Sequence, residues 1–220
     1  MTLPRIKICC IANEHEAADA ISFGASAIGL VGKMPSGPGP ISDEEIYEIA
    51  KTVPPPIATF LLTSEQTAKG IIEHHRRTLT NTIQIVDELL ERDYKTIRDA
   101  LPHVKLVQVI HVVSERSVDE ACELAEFVDC VLLDSGNPNL AVKELGGTGR
   151  RHDWRLSRKV VETCGKPVFL AGGLNSENVG EAIETVRPFG LDVCSGVRTN
   201  GSLDQCKLEQ FFKNILAVSY

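Results

Sequence analysis

Eight short apolar runs, each followed by a stretch of helical or turn-forming sequence, recur along the whole chain, and that alternation limits the fold more than any other feature. The runs are Ile6–Ile11, Ser26–Leu30, Ile57–Leu62, Thr82–Val86, Val104–Val109, Val128–Leu133, Pro167–Ala171 and Leu191–Cys194. Between them, apolar residues fall three and four apart: Ile46, Ile49, Ala50 and Val53; Val118, Ala121, Cys122 and Ala125; Val179, Ala182, Ile183 and Val186; Leu208, Phe211, Phe212 and Ile215. That spacing lines each set along one helical face. Short, continuously apolar strands suit a parallel sheet covered by helices. An open doubly wound sheet accepts most of these elements, but eight units with no strand left over favour closure into a single (β/α)8 TIM barrel spanning residues 1–220.

Start and stop signals divide the chain in the same way. Asn13 with Glu16, Ser42 with Glu45, Thr63 with Gln66, Ser117 with Glu120 and Ser202 with Gln205 have the spacing of a reciprocal N-terminal cap. Asn175 is a further cap candidate, after AGGL. Helices three and four are expected around Glu65–Leu79 and Glu88–Leu101, and Pro54–Pro56 and Pro102 end helices by removing an amide donor.

Composition narrows the function classes. A formal charge of -7, from 30 acidic against 23 basic residues, with no basic block longer than a pair, argues against a nucleic-acid partner. No run approaches the roughly 20 apolar residues that cross a bilayer, and MTLPRIKICC lacks the layout of a secretory signal, so a cytoplasmic protein without a membrane partner is expected. The seven cysteines include no C-x-x-C pair, so a disulfide framework is not expected, and Cys130 and Cys194 read as small buried thiols. His15, His74, His75, His103, His111 and His152 show no metal-ligand spacing. The sequence leaves monomer and homodimer both open.

In a barrel of this kind reactive groups sit at the C-terminal strand ends and in the loops that follow. Those positions hold Cys9, Asp134, Gly172-Gly173 and Ser195-Gly196. Glycines let a backbone approach a phosphate and present amides to it, so AGGLN and CSGV suggest a phosphate cradle on the seventh and eighth loops. A simpler reading makes them turns. Asp134 ends VDCVLLD, where burial can raise its pKa and fit it to act as an acid, or it can cap its own loop. The Cys9 thiol can serve as a base if it titrates near working pH, or it can be structural. Arg150 and Arg151, in GGTGRRHDW at 146–154, can meet a carboxylate or phosphate or stand in solvent.

These segments together resemble the phosphoribosylanthranilate isomerase family. KICCIAN at 7–13, FGASAIGLV at 23–31, PISDEEI at 40–46, IQIV at 83–86, VLLDS at 131–135, GGTGRRHDW, PVFLAGGLNSENVGEAI at 167–183 and GLDVCSGVRTNGSLDQCKLEQF at 190–211 run in family order over nearly the whole chain. The resemblance implies a cofactor-free Amadori rearrangement of N-(5-phosphoribosyl)anthranilate in tryptophan biosynthesis. It implies Cys9 as general base, Asp134 as general acid, and Gly172, Gly173, Ser195 and Gly196 as the phosphate site.

The chain departs from the family pattern around the rest of the site. Cys10 stands where the family has glycine and Ala12 where it has threonine; QIVD at 84–87 replaces Q-L-H-G; and Arg198 replaces the glutamate after S-G-V. Gly39 removes the arginine expected on the anthranilate side. Losing such a charge-assisted contact costs about 1.5 to 3 kcal/mol. Lys33, Arg150, Arg151 and Arg198 are the candidate replacements for contacting the substrate carboxylate. Two alternatives stay open: a related barrel isomerase acting on another phosphorylated sugar or amine, and a non-catalytic interaction or regulatory barrel.

Overall fold

The structure is a computed structural model that describes residues 3–136 and 151–218. Eight parallel strands close into a barrel in sequence order: β1 (Arg5–Ile8), β2 (Ala27–Val31), β3 (Ala58–Thr63), β4 (Thr82–Ile85), β5 (Lys105–His111), β6 (Cys130–Asp134), β7 (Val168–Leu170) and β8 (Gly190–Val193). Closure is made by β1 on β8, with Arg5 opposite Gly190 and Ile8 opposite Val193. The helices follow in turn: α1 (Glu14–Ser22), α2 (Asp43–Thr52), α3 (Ala68–Thr78), α4 (Glu91–Ala100), α5 (Arg116–Ala125), α6 (Trp154–Thr163), α7 (Val179–Val186) and α8 (Gln205–Leu216). A small hairpin, β9 (Arg198–Thr199) with β10 (Ser202–Leu203), precedes α8 and has no counterpart in the sequence reading.

Strand alternation splits the apolar residues into two cores. Side chains such as Ile8, Ile28, Leu61, Ile83, Val131 and Leu191 fill the layer between sheet and helices. Ala27, Val31, Phe60, Leu62, Val107, Leu132 and Phe169 fill the barrel interior, with Phe60 and Phe169 edge to face at 6.0 Å. Among the described residues no helix is long and apolar enough to cross a membrane.

The caps test the helix starts one by one. Ser42 and Glu45 form the full reciprocal box. Asn13 accepts from the Glu16 amide, but the Glu16 carboxylate turns instead to Ala12, Leu203 and Arg198. Thr63 does not cap α3, because its hydroxyl is engaged with His74 Nδ1 at 2.9 Å; Thr67 caps the helix, accepting from Gly70. Ser202 lies in the hairpin, and Asp204 caps α8. Ser117 falls inside α5 and ties the preceding loop, accepting from the Val113 amide and donating to the His111 carbonyl. Asn175 accepts from the amides of Glu177 and Asn178, fixing the turn that leads into α7.

Candidate active site

Period-two alternation on β1 aims Lys7 and Cys9 into the barrel, and on β8 it aims Asp192 and Cys194 the same way. Lys7 is completely buried, with Nζ 2.9 Å from Asp192 Oδ1 and 5.2 Å from the centre of the Phe60 ring. A buried ammonium ordinarily sheds its proton, but the Asp192 carboxylate and the nearby thiols overcome that and raise the Lys7 pKa above its usual value. Lys7 is therefore a fixed positive charge beneath the mouth.

Above it, Cys9, Cys10, Asp134, Asp192, Gly172, Gly173 and Ser195 line one cleft at the C-terminal strand ends, with Met34 and Pro38 on its other wall. Gly29 on β2 makes room for the reactive side: a Cβ there would lie 2.8 Å from Cys9 Sγ and 3.0 Å from Lys7 Nζ. A hydrogen bond with the Cys10 thiol holds the Cys9 thiol below its ordinary pKa; the Lys7 charge adds to this, while burial opposes it. Across the cleft, burial pushes Asp134 up to about 6, the Asp192 charge pushes the same way, and the Ser135 amide, 2.7 Å from Oδ1, opposes it. The two groups are thus displaced in opposite senses, a thiol toward its anion and a carboxyl toward its neutral acid.

The loops after β7 and β8 meet at the cleft. Gly172 and Gly173 have φ of +85° and +65°, a turn that suits glycine. Gly196 bridges to Asn175, and a Cβ on it would lie 2.0 Å from the Leu174 carbonyl oxygen, so only glycine lets these two loops touch. Ser195 is exposed on the rim, whereas Gly196 sits one residue behind the lining.

Three of the four expected carboxylate contacts lie outside the cleft lining. Arg198 is buried: it pairs with Glu16 at 3.0 Å and donates to the carbonyls of Cys9, Cys10 and Gly201. It braces the chain that carries the thiols instead of facing the cleft. Arg151 stacks 3.8 Å from the Trp154 ring centre and pairs with Glu181. Lys33 is exposed and outside the lining. Arg150 and GGTG at 146–149 lie outside the described residues.

Two of the departures from the family pattern, Cys10 and Gly39, meet. A Cβ at Gly39, whose φ is +84°, would lie 2.6 Å from Cys10 Cβ, so the Cys10 side chain fills the space a larger residue at 39 would need. Cys10 itself has φ of +62°, a left-handed conformation that costs a non-glycine residue roughly 1 kcal/mol. Sequence reasoning missed Lys7 and Asp192, although a lysine and an aspartate inside otherwise apolar strands were the available signal. A second cleft, by β4, β5 and α5, is rich in carboxylates, among them Asp87, Glu88, Asp119, Glu120 and Glu123. Those charges disfavour a phosphate ester.

Comparison with known proteins agrees with this geometry. Residues 6–214 match the family described as N-(5'phosphoribosyl)anthranilate (PRA) isomerase. The N-(5'-phosphoribosyl)anthranilate isomerase of Methanosarcina acetivorans is 33% identical, with 96% of this chain and 92% of that protein covered. The crystal structure of the Thermotoga maritima phosphoribosyl anthranilate isomerase superposes with a TM-score of 0.83 at 30% identity, covering 97% of this chain and 99% of that one. A phosphoribosyl anthranilate isomerase in complex with reduced 1-(o-carboxyphenylamino)-1-deoxyribulose 5-phosphate superposes at 0.80 with 28% identity, covering 97% and 99%. With a barrel of the same topology and a match along almost its entire length, this chain belongs to the N-(5'-phosphoribosyl)anthranilate isomerase family, isomerases of tryptophan biosynthesis.

Proposed function

We propose that this chain converts N-(5-phosphoribosyl)anthranilate to 1-(2-carboxyphenylamino)-1-deoxyribulose 5-phosphate, with Asp134 as general acid and Cys9 as general base. The observation that carries the assignment is the facing pair itself: two buried groups on one cleft whose pKa values move in opposite directions. Asp134 gives its proton to the ribose ring oxygen as the C1–O bond breaks, leaving an iminium at C1. The Cys9 thiolate removes the C2 proton, and the C–H electrons neutralise the iminium to give an enolamine that tautomerises to the ketose. Opposite proton movements at two atoms need two groups of opposite protonation. Lys7 supports the thiolate, Asp192 balances Lys7, and the loops at Gly172-Gly173 and Ser195-Gly196 receive the phosphate.

Gly39 favours a second reading, in which the substrate is another phosphorylated sugar or amine without the anthranilate carboxylate. The deciding measurement is the fluorescence decrease as freshly generated phosphoribosylanthranilate is consumed. Turnover by the wild type that collapses in Cys9→Ala and in Asp134→Asn, both still folded, is the expected result; a general acid or base is worth about 10²–10⁴-fold. No turnover by folded wild type sinks the assignment in favour of the second reading or a binding role.

A further inference from the structure

Three thiols stand at the mouth of the barrel, and the proton transfers use only Cys9. Cys10 and Cys194 are both free, yet their sulfurs lie 2.7 Å apart, the Cys194 thiol donating to Cys10. They sit at the ends of the two closing strands. β1 and β8 remain paired through Ile8 and Val193, and the Cys9 amide continues the ladder by donating to the Val193 carbonyl at 2.9 Å. Continued by one residue, that register sets Cys9 opposite Cys194, so Cys10 reaches Cys194 from one position further along the chain. Cys10 then leaves the strand in a left-handed conformation, with its sulfur against Cys194. Cys194 is half-exposed on the rim and open to a small reagent; Cys10 is only 7% exposed and meets its neighbour before it meets solvent.

We propose that Cys10 and Cys194 are a thiol–disulfide exchange site, oxidised by a small disulfide of the glutathione class, whose bonding inactivates the cleft. The Cys194 thiolate attacks one sulfur of the small disulfide, forming a mixed disulfide and releasing the first thiolate. In the reduced protein the hydrogen bond with Cys194 raises the Cys10 pKa well above its ordinary value; with Cys194 held in the mixed disulfide, the Cys10 thiol gives its proton to the released thiolate and attacks the Cys194 sulfur, forming the Cys10–Cys194 bond and releasing the second. Two protein thiols lose two protons and two electrons, and one small disulfide becomes two thiols. Both cysteines line the cleft, so the bond fixes two sulfurs in its wall and removes the Cys10 thiol, which donates to the Pro38 carbonyl at 3.7 Å and stands next to Cys9. That Cys9 then fails as a base rests on the function proposed above; formation of the bond does not.

The test exposes the folded protein to oxidised glutathione, blocks remaining thiols with N-ethylmaleimide in denaturant, and maps the seven cysteines by peptide mass, with backbone fragmentation between the adjacent Cys9 and Cys10 to tell which of them is cross-linked. The expected product is a peptide cross-linked through Cys10 and Cys194 that dithiothreitol reverses. Isomerase turnover should fall on the order of a hundredfold with cross-linking, the scale of displacing a reacting group by about 1 Å, and return on reduction. In Cys194→Ser the treatment should leave that variant's own turnover unchanged, and exposed Cys206→Ser should behave as wild type. Absence of the cross-link, or a cross-link that pairs Cys9 instead, overturns the inference. If the reduced protein shows no isomerase turnover, the functional reading fails, while the peptide map still decides whether the exchange site exists.

Discussion

Asp134 keeps its proton at a pH where an exposed aspartate has lost it, and this has a consequence for stability. Its pKa is about 6 in the folded protein against a usual 3.8, so the folded state binds more protons than the unfolded state between those values, and stability falls as pH rises through that window. Below about pH 4 both states hold the proton and the penalty is absent. Urea titrations should therefore show Asp134→Asn gaining roughly 2–3 kcal/mol on the wild type between pH 4 and pH 7, with no further gain above; a constant difference would contradict the raised pKa. Arg198 makes a second prediction at this scale. Removing one partner of a buried pair strands the other charge, so Arg198→Met should destabilise by roughly 3–5 kcal/mol, read as a lower urea midpoint. Because Arg198 also holds the Cys9 and Cys10 carbonyls, turnover should drop with it. The sequence marked Cys9 and Asp134 through their places at strand ends, but not the part Arg198 plays: its partner Glu16 is 182 positions away, and nothing local announces the pairing.

Helices show where local signals suffice. The Ser42–Glu45 box needs only its own turn, and it forms as its spacing predicts. Ser42→Ala should cost about 1 kcal/mol in thermal or urea unfolding, with the cleft and turnover untouched. Thr63 has the same local spacing, but it sits where His74 from α3 reaches back for its hydroxyl, and Thr67 takes over the cap. A tertiary partner for Thr63 is why the third helix begins later than its cap suggested, and the local β9–β10 hairpin takes Ser202 away from the start of the eighth, whereas all eight barrel strands were legible from apolar runs alone. The hairpin of β9 and β10 was not, since two residues on each side leave no periodicity to read.

Across the whole molecule, two of the departures from the family pattern, at positions 10 and 39, act as one change. Gly39 and Cys10 come from different loops, and the Cys10 side chain occupies the room a Cβ at position 39 would need. A double-mutant cycle should show that Gly39→Ala costs less in a Cys10→Gly background, by at least about 0.5 kcal/mol; strict additivity would mean the contact carries nothing. The Lys7–Asp192 pair joins the start and end of the chain across 185 positions. During synthesis Lys7 leaves the ribosome 185 residues ahead of Asp192, so its counter-charge arrives only with the last strand of the barrel. Until then a half-made barrel exposes to water an ammonium that the finished protein hides. A chain made only as far as β7 lacks Asp192 from the floor of the cleft and the β8 side of its mouth, so activity cannot appear before the ring of strands is joined.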